Sequence, residues 1–401
     1  MVTGLTYLDG PVLDRAEAPL AGRAVTVLGA GIGGLTVALA LARRGARVMV
    51  LEQAEALREI GAGLQISPNA MRVLDALGVA ERVAACSPAA EAVEMSDFRH
   101  GAPILRLDLA GMAEWGGWHL VHRADLITIL VDEARKAGVQ IRLGVRVMQV
   151  RSGASGVRLD FEEGGHGTAP LVIGADGVRG ISRTGLGPAP DPGFTGQVAW
   201  RALVPLKAPA APRVQLLLGP GRHLVAYPLR DRRVMNLVAV QERRTWAPEG
   251  WQHADDADNL RAAFADFGGP VPDLLAQVED VHLWGLFRHE VAEVWSGGRL
   301  VLLGDAVHPT LPFLAQGACM AIEDAWVLTD RLAAQESIPA ALAQYQALRR
   351  DRCRRIVAAA NRNARLYHLG VPGVRQAAHA ALRLSDRIAP GAALRRFDWL
   401  Y

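Results

Sequence analysis

Regular patterning begins at a short β-branched run, Ala24-Val-Thr-Val-Leu28, which ends in a glycine-rich turn. A continuous apolar run of this length reads as a strand buried on both faces. Leu35 to Arg44 follows with helical composition and stops at Gly45, and Arg47-Val-Met-Val-Leu51 is a second buried strand ending at Glu52. The pattern predicts a strand–helix–strand unit of about thirty residues. Beyond it come a small-residue loop from Gly61 to Asn69, a helix from Ala70 to Leu77, and a helix that opens at His122-Arg123 and reaches about Ala137. Strand-like runs cover Val139 to Val150, Val157 to Phe161 and Leu171 to Ile173, with a hairpin tip over Glu162 to Thr168.

The texture changes from Pro188 to about Leu286. Strand-like runs (Val198 to Val204, Val214 to Leu218, His223 to Leu229, Val234 to Val240) sit between proline and glycine turns, which predicts a mostly antiparallel sheet with a helix near Ala254 to Phe267. Leu300 to Leu303 returns to the buried-strand pattern, and long helices follow near Gln316 to Ala334 and Ile338 to Leu366. The expected fold class is therefore α/β: a Rossmann-like nucleotide domain split in sequence, an inserted mostly antiparallel substrate sheet, and C-terminal helices. The expected boundaries are a lead-in over 1–22, the nucleotide domain over 23–187 and 287–335, the inserted sheet over 188–286, and a helical region over 336–401.

Composition narrows the class. At 401 residues, with half of them hydrophobic and 21% charged, the chain has the make-up of a globular enzyme with a substantial core. The net charge of +3 gives little reason to expect a polyanionic partner. The dense run Arg349 to Arg355 lacks interleaved aromatic residues, so it reads as a solvated helix surface rather than a nucleic-acid site. Cys86, Cys319 and Cys353 are too few and too scattered for a disulfide framework or a metal site, and a reducing cytoplasm is the expected setting. Arg43, Arg44 and Arg47 interrupt the one long apolar stretch, so no membrane span is expected.

The chemistry lies at three glycine-bearing turns. In Gly29-Ala30-Gly31-Ile32-Gly33-Gly34, Gly29 permits a tight turn, Gly31 lets backbone approach a pyrophosphate, and Gly34 allows close helix–strand packing. Amides at the helix N-terminus attract the anion. Glu52, eighteen residues after Gly34, stands where a carboxylate accepts hydrogen bonds from an adenosine ribose, and it would repel a 2′-phosphate. Asp176, in Gly174-Ala-Asp-Gly177, and Asp305, after Gly304, each follow a strand; each fits either a ligand-facing carboxylate or an ordinary turn. Arg123 fits either a contact to the ribose or pyrophosphate or an exposed helix start.

These three turns, in this order, resemble the signatures of the single-component flavin-dependent aromatic hydroxylases of the para-hydroxybenzoate hydroxylase fold. Gly61 to Asn69, Gly219 to Pro228, Leu311 to Asp324 and the terminal Phe397-Asp-Trp-Leu-Tyr401 resemble more closely the branch that hydroxylates salicylate, 3-hydroxybenzoate and 6-hydroxynicotinate. The resemblance covers nearly the whole chain. It implies FAD held at Gly33, Glu52, Gln53, Arg123, Asp305 and Ala318, with Val147 beside the adenine and Asp176 near the pyrophosphate and the nicotinamide donor. Gly304, Pro312, Gly317 and Ala318 would meet the flavin, where the dipole of the following helix stabilises negative charge on its reduced edge. Gln65 stands near the same cofactor where some relatives carry a relay histidine, a task an amide cannot perform. Gly180 departs from the family's usual serine in the second signature, which predicts a weakened helix cap there.

On the substrate side, His223 and Tyr227 lie four apart in a predicted strand and so face one side, roughly 13 Å apart at about 3.3 Å per residue. A histidine there is either a solvated loop residue or a pocket base. The resemblance favours the base, with Tyr227 orienting the substrate. Gln316 is either a positioner of substrate or water, or a capping or solvated glutamine. The implied activity is hydroxylation of a small phenolic or N-heteroaromatic carboxylate by a monomer or homodimer. The implied chemistry uses O2 and NAD(P)H (NADH favoured) and passes through a flavin C4a-hydroperoxide. Alternatives are a hydroxylase or epoxidase of a larger substrate, a flavin reductase, and a non-catalytic FAD-binding protein.

Overall fold

The computed structural model describes residues 18–57, 63–188, 190–243, 245, 247–250, 253–389 and 391–401. Residues 1–17 of the expected lead-in, with Gly61 and Ala62 of the expected loop, lie outside them.

The predicted opening unit is present. β1 (Ala24–Leu28) turns into α1 (Ile32–Arg43) and returns as β2 (Arg47–Leu51), in parallel register from Ala24 opposite Arg47 to Leu28 opposite Leu51. Gly29 holds φ +98°, and a Cβ on Gly34 would fall 2.0 Å from the Gly29 carbonyl oxygen. The helix seats on its own turn only because residue 34 has no side chain.

Residues 63–66 of the expected loop form a strand instead, β3 (Gly63–Ile66), and α2 (Pro68–Ala76) starts earlier than Ala70, with Pro68 in its first turn. α3 (Ala80–Cys86), β4 (Ala92–Asp97), β5 (Pro103–Asp108) and β6 (His119–His122) add to the predicted elements. β6 pairs with β3 and passes directly into α4 (Arg123–Lys136). The predicted single strand from Val139 to Val150 breaks at Gly144 (φ +69°) into β7 (Gln140–Arg142) and β8 (Val147–Ser152), which belong to different sheets. β8, β9 (Val157–Phe161) and β10 (His166–Ala169) form a small antiparallel sheet, and β11 (Val172–Gly174) follows.

The antiparallel segment comprises β12 (Gly193–Pro205), β13 (Arg213–Gly219), β14 (Arg222–Leu229), β15 (Val234–Glu242), β16 (Ala254–Asp255) and β17 (Val281–Arg288). In place of one helix it carries α5 (Ala257–Ala263) and α6 (Val271–Ala276). β18 (Ser296–Gly297) and β19 (Leu300–Leu302) precede α7 (Gly317–Ala334), α8 (Ile338–Leu366), α9 (Pro372–Ile388) and α10 (Ala392–Arg395). Among the described residues no helix is long and apolar enough to cross a membrane.

Two sheets decide where a ligand can sit. The first has the order β18-β19-β11-β1-β2-β7, parallel from β19 to β7. Because β1, β11 and β19 are parallel neighbours, the turns after them leave the same edge, which brings together three glycine stretches far apart in sequence. The second sheet has eight strands in the order β16-β17-β12-β15-β14-β13-β4-β5, so β4 and β5, from residues 92–108, complete a sheet otherwise drawn from residues 193–288. One of its faces buries Trp200, Leu217, Leu224, Ala226, Leu237 and Ala239 with Phe264 and Phe267. Its other face turns towards the parallel sheet.

Candidate active site

Between the two sheets lies a cavity of about 700 Å³. Alternation along each strand supplies the wall on the substrate side. Residues 223, 225 and 227 of β14 line it, as do Val238 and Val240 of β15, Val214 and Leu216 of β13, and Val93 and Met95 of β4. Arg201 on β12 stands opposite Val238, which stands opposite Val225, so these three form one cross-strand row on the cavity face. Among the described residues of the eight-stranded sheet that line the cavity, only Arg201, His223 and Tyr227 are polar or charged.

The parallel sheet supplies the other wall. Gly29, Ala30, Gly31, Gly33, Glu52, Gln53 and Asp176 line it, with Arg123 from the start of α4. The Glu52 carboxylate accepts the Ala30 amide at 2.8 Å and the Ala54 amide at 2.9 Å, which fixes it at the tip of β2 beside the glycine turn. Gly31, the N-cap of α1, offers no side chain to the helix amides, and a Cβ added there would meet nothing within 4 Å. The N-terminus of α1 is therefore open towards the cavity.

The third turn behaves alike. Gly304, Asp305, Pro312, Gly317 and Ala318 line the cavity, and α7 begins without a side-chain cap. Two uncapped helix N-termini facing one cavity are what a ligand with a pyrophosphate and an electron-accepting ring requires. The residues present fit FAD. When bound, that group supplies the electron transfer and oxygen chemistry that no side chain provides.

Several site expectations change. Gln316 is 1% exposed and does not line the cavity. Its Nε2 donates to Ser67 at 2.9 Å and its Oε1 accepts from Asn69 at 3.0 Å, so both ends of the amide bond residues outside the cavity lining. Val147 is also absent from the cavity wall, since β8 belongs to the small three-stranded sheet. Gly34 acts through packing, not by lining. Gln65 does line the cavity and accepts from Trp118 Nε1 at 3.2 Å.

As expected, Gly180 caps the short helix Ile181–Leu186 without a side-chain hydrogen bond. The Asp176 carboxylate compensates from outside the helix: it accepts the Ser182 amide at 2.9 Å and the Ser182 hydroxyl. A Cβ on residue 180 would sit 2.1 Å from that carboxylate, so glycine is what lets Asp176 lie across the turn. Burial pushes the Asp176 carboxyl up, and the two Ser182 hydrogen bonds oppose the rise.

The basic run Arg349 to Arg355 is not a solvated surface throughout. Arg349 has no exposure; its Nε bonds Asp324 at 2.7 Å and its Nη1 bonds Glu323. Arg352 reaches Glu323 at 2.7 Å, Asn69 donates to Glu323 at 2.6 Å, and Asp324 accepts the Gly304 amide at 3.0 Å and His308 Nε2 at 2.5 Å. This ionic lattice sits beneath the third turn and holds its backbone. Charge periodicity could not reveal it, because Glu323 and Asp324 lie a helix away from their arginines.

His223 and Tyr227 do share one face, and both are buried. Burial, then the neighbouring His368, pushes His223 well below the ordinary imidazole range, so it is neutral near pH 7. Burial raises the Tyr227 phenol and Arg201 opposes the rise. The sequence reading missed Arg201, whose guanidinium also stacks 5.1 Å from the Trp284 ring centre; its one visible sign was a charge amid the apolar run of β12. It also missed His368, 145 residues from its partner His223. Phe397 and Tyr401 of the terminal segment line the cavity as well.

A split nucleotide fold, a cavity walled by a second sheet and two open helix N-termini define a flavin-dependent enzyme. The comparisons make this particular. Residues 23–360 match the family model described as an FAD binding domain, and the chain belongs to that family. It is 36% identical to a 3-amino-4-hydroxybenzoate 2-monooxygenase of Streptomyces platensis, over 94% of this chain and 95% of that one. It is 35% identical to a 3-hydroxybenzoate 6-hydroxylase of Klebsiella oxytoca, over 85% and 88%. Its fold matches that of HpxO from Klebsiella pneumoniae, solved with FAD and uric acid, at a TM-score of 0.81 and 29% identity, over 92% and 95% of the two chains. The chain is an FAD-dependent aromatic monooxygenase.

Proposed function

We propose that the protein hydroxylates a small phenolic or N-heteroaromatic carboxylate, using O2 and NAD(P)H, with NADH favoured. The observation that carries this reading is the sheet face of the cavity, where an apolar wall holds three polar groups, Arg201, His223 and Tyr227. A flat ring fits against Val93, Met95, Leu216 and Val238, where burial excludes water. Arg201 pairs with the substrate carboxylate, since a guanidinium matches a carboxylate in two parallel hydrogen bonds. Tyr227 orients the ring, and His223, held neutral by its surroundings, takes the proton of a ring hydroxyl. Losing that proton makes the ring carbon electron-rich, ready to accept an oxygen atom delivered from the cofactor side. The relatives named for hydroxybenzoates support this substrate class.

The test is NADH and NADPH oxidation by the FAD-loaded protein across 3-amino-4-hydroxybenzoate, 3-hydroxybenzoate, 6-hydroxynicotinate and salicylate, with product mass measured. The expected result is ligand-stimulated oxidation with one oxygen atom added to at least one acid. Oxidation that yields no hydroxylated product from any of them, or flavin that stays oxidised with ligand present, overturns the reading.

A further inference from the structure

The polar groups behind His223 form a path from the cavity to solvent. His223 Nδ1 lies 2.7 Å from Nε2 of His368, and the two rings are 4.9 Å apart. On the far side, His368 Nδ1 meets the Gln197 side-chain amide at 3.0 Å and Glu242 Oε1 at 3.3 Å. His368 is buried, whereas the Glu242 side chain is 54% exposed. Three elements meet here: β14 brings His223, β15 brings Glu242 at its end, and the chain leaving α8 brings His368. Phe313 and Tyr367 pack edge-on against His223 and screen the pair from the side.

Hydrogen-bond polarity gives this path a direction. A neutral imidazole has one donor and one acceptor, and a carboxylate only accepts. Glu242 therefore calls for a proton on His368 Nδ1. His368 Nε2 is then the acceptor, His223 Nδ1 donates to it, and His223 Nε2 keeps the lone pair a base needs. Gln197, with its Nε2 towards His368, fits the opposite polarity, and its Oε1 is left buried with no partner among the described residues. A half-turn of that carboxamide sets Oε1 on the His368 Nδ1–H and gives the orphaned oxygen a partner. The cluster thus has two hydrogen-bond polarities related by shifting protons along one line, one with His223 as base and one with His223 as donor.

We propose that His223, His368 and Glu242 form a proton exit, with His368 and Glu242 acting as positioning and relay residues that set the protonation of His223. The ring O–H bond breaks and its proton bonds to His223 Nε2. The His223 Nδ1 proton passes to His368 Nε2, and the His368 Nδ1 proton passes to the Glu242 carboxylate and on to water. The substrate is left as a phenolate and one proton has reached solvent; the reverse sequence reprotonates the product. Neither imidazole is suited to store the charge, since burial pushes His368 down to about 4 and His223 lower than usual as well. Among the described residues, the ionisable Tyr367 packs on His223, and Tyr227 and Arg201 share its cavity face; burial holds Tyr367 up at about 12. The inference rests on the reading of His223 as the acceptor of a ring hydroxyl proton.

The experiment binds 3-amino-4-hydroxybenzoate to the FAD-loaded full-length protein and follows phenolate absorbance by difference spectroscopy from about pH 5.5 to 9. In the wild type the bound phenol is expected to ionise below its pH of ionisation in water. Glu242→Gln and His368→Phe are expected to raise that pH by about one unit, a tenfold change in the ionisation constant, and to slow ionisation on rapid mixing about tenfold. The dissociation constant at a pH where the phenol stays neutral should change less than about threefold, and imidazole added to His368→Ala should restore part of the rate. If Glu242→Gln and His368→Phe ionise bound phenol at the wild-type pH and rate, the relay is wrong, even if His223→Leu abolishes ionisation. Should a His368 variant fail to fold, Glu242→Gln alone decides, since that side chain is half-exposed. Failure of the underlying reading looks different: the wild type then binds none of the four acids as a phenolate and hydroxylates none.

Discussion

Two buried polar clusters flank the cavity, and they are built in opposite ways. Beneath the third glycine turn, Glu323, Asp324, Arg349 and Arg352 form a lattice in which each carboxylate meets more than one cation or amide donor. Burial alone would raise both carboxyls. The guanidiniums outweigh it at Glu323, and His308 with Arg349 outweighs it at Asp324, so each is held down at about 2. Behind the substrate sheet, the His223–His368 pair has one buried amide oxygen left over and an exit to water. Both clusters hold one buried atom without a hydrogen-bond partner among the described residues, His308 Nδ1 in the first and Gln197 Oε1 in the second, so the difference lies in the groups themselves. Carboxylates held by guanidiniums, which only donate, have one arrangement and act as architecture, whereas two facing imidazoles have two hydrogen-bond polarities related by moving protons.

The largest effect should come from breaking the arginine–carboxylate cluster. Arg349→Met leaves Asp324 and Glu323 short of a buried partner, and chemical denaturation should show a loss of about 3–5 kcal/mol, with weaker FAD retention because Gly304 hangs from Asp324. A loss under about 1 kcal/mol would mean the lattice is not structural. His223→Leu tests the other cluster with the opposite signature. Product formation should fall roughly 100-fold, while reduction of the flavin by NADH and the denaturation midpoint stay close to wild type. Equal slowing of reduction and hydroxylation would remove His223 from the proton step.

Acid gives the gentlest contrast. Glu323 and Asp324 have folded values below their ordinary ones, so their contribution is complete above about pH 4.5 and is lost as pH falls towards 2. The melting temperature should therefore drop through that window, with a slope of about 1.4 kcal/mol per pH unit for each proton taken up. In Arg349→Met the drop should be shallower. His223→Leu should lose less stability than the wild type as pH falls below about 6.5, because the unfolded imidazole takes up a proton there while the buried ring, held below its ordinary value, does not.

Much of the cofactor half was legible because its determinants are local. Gly29, Gly31, Gly34 and Glu52 sit within one strand–helix–strand unit, where backbone freedom and spacing alone dictate a nucleotide turn. Asp176 and Asp305 were legible as strand ends flanked by small residues. The alternation of β14 likewise placed His223 and Tyr227 on one face. Less was legible where partners are distant. Arg349 looked like one charge among many until α8 lay against α7, and Gln316 fitted either a positioner or a capping residue until Ser67 and Asn69 took both ends of its amide.

The sequence by itself determined a nucleotide turn, the split fold and which side of one strand faces the cavity, because periodicity and glycine placement act over a few residues. Only the tertiary structure decided which buried groups are structural and which are free to exchange a proton. Burial and hydrogen-bond polarity depend on what stands opposite: His368 acquires a role when the chain leaving α8 sets it 2.7 Å from His223, and no spacing along the chain encodes that approach.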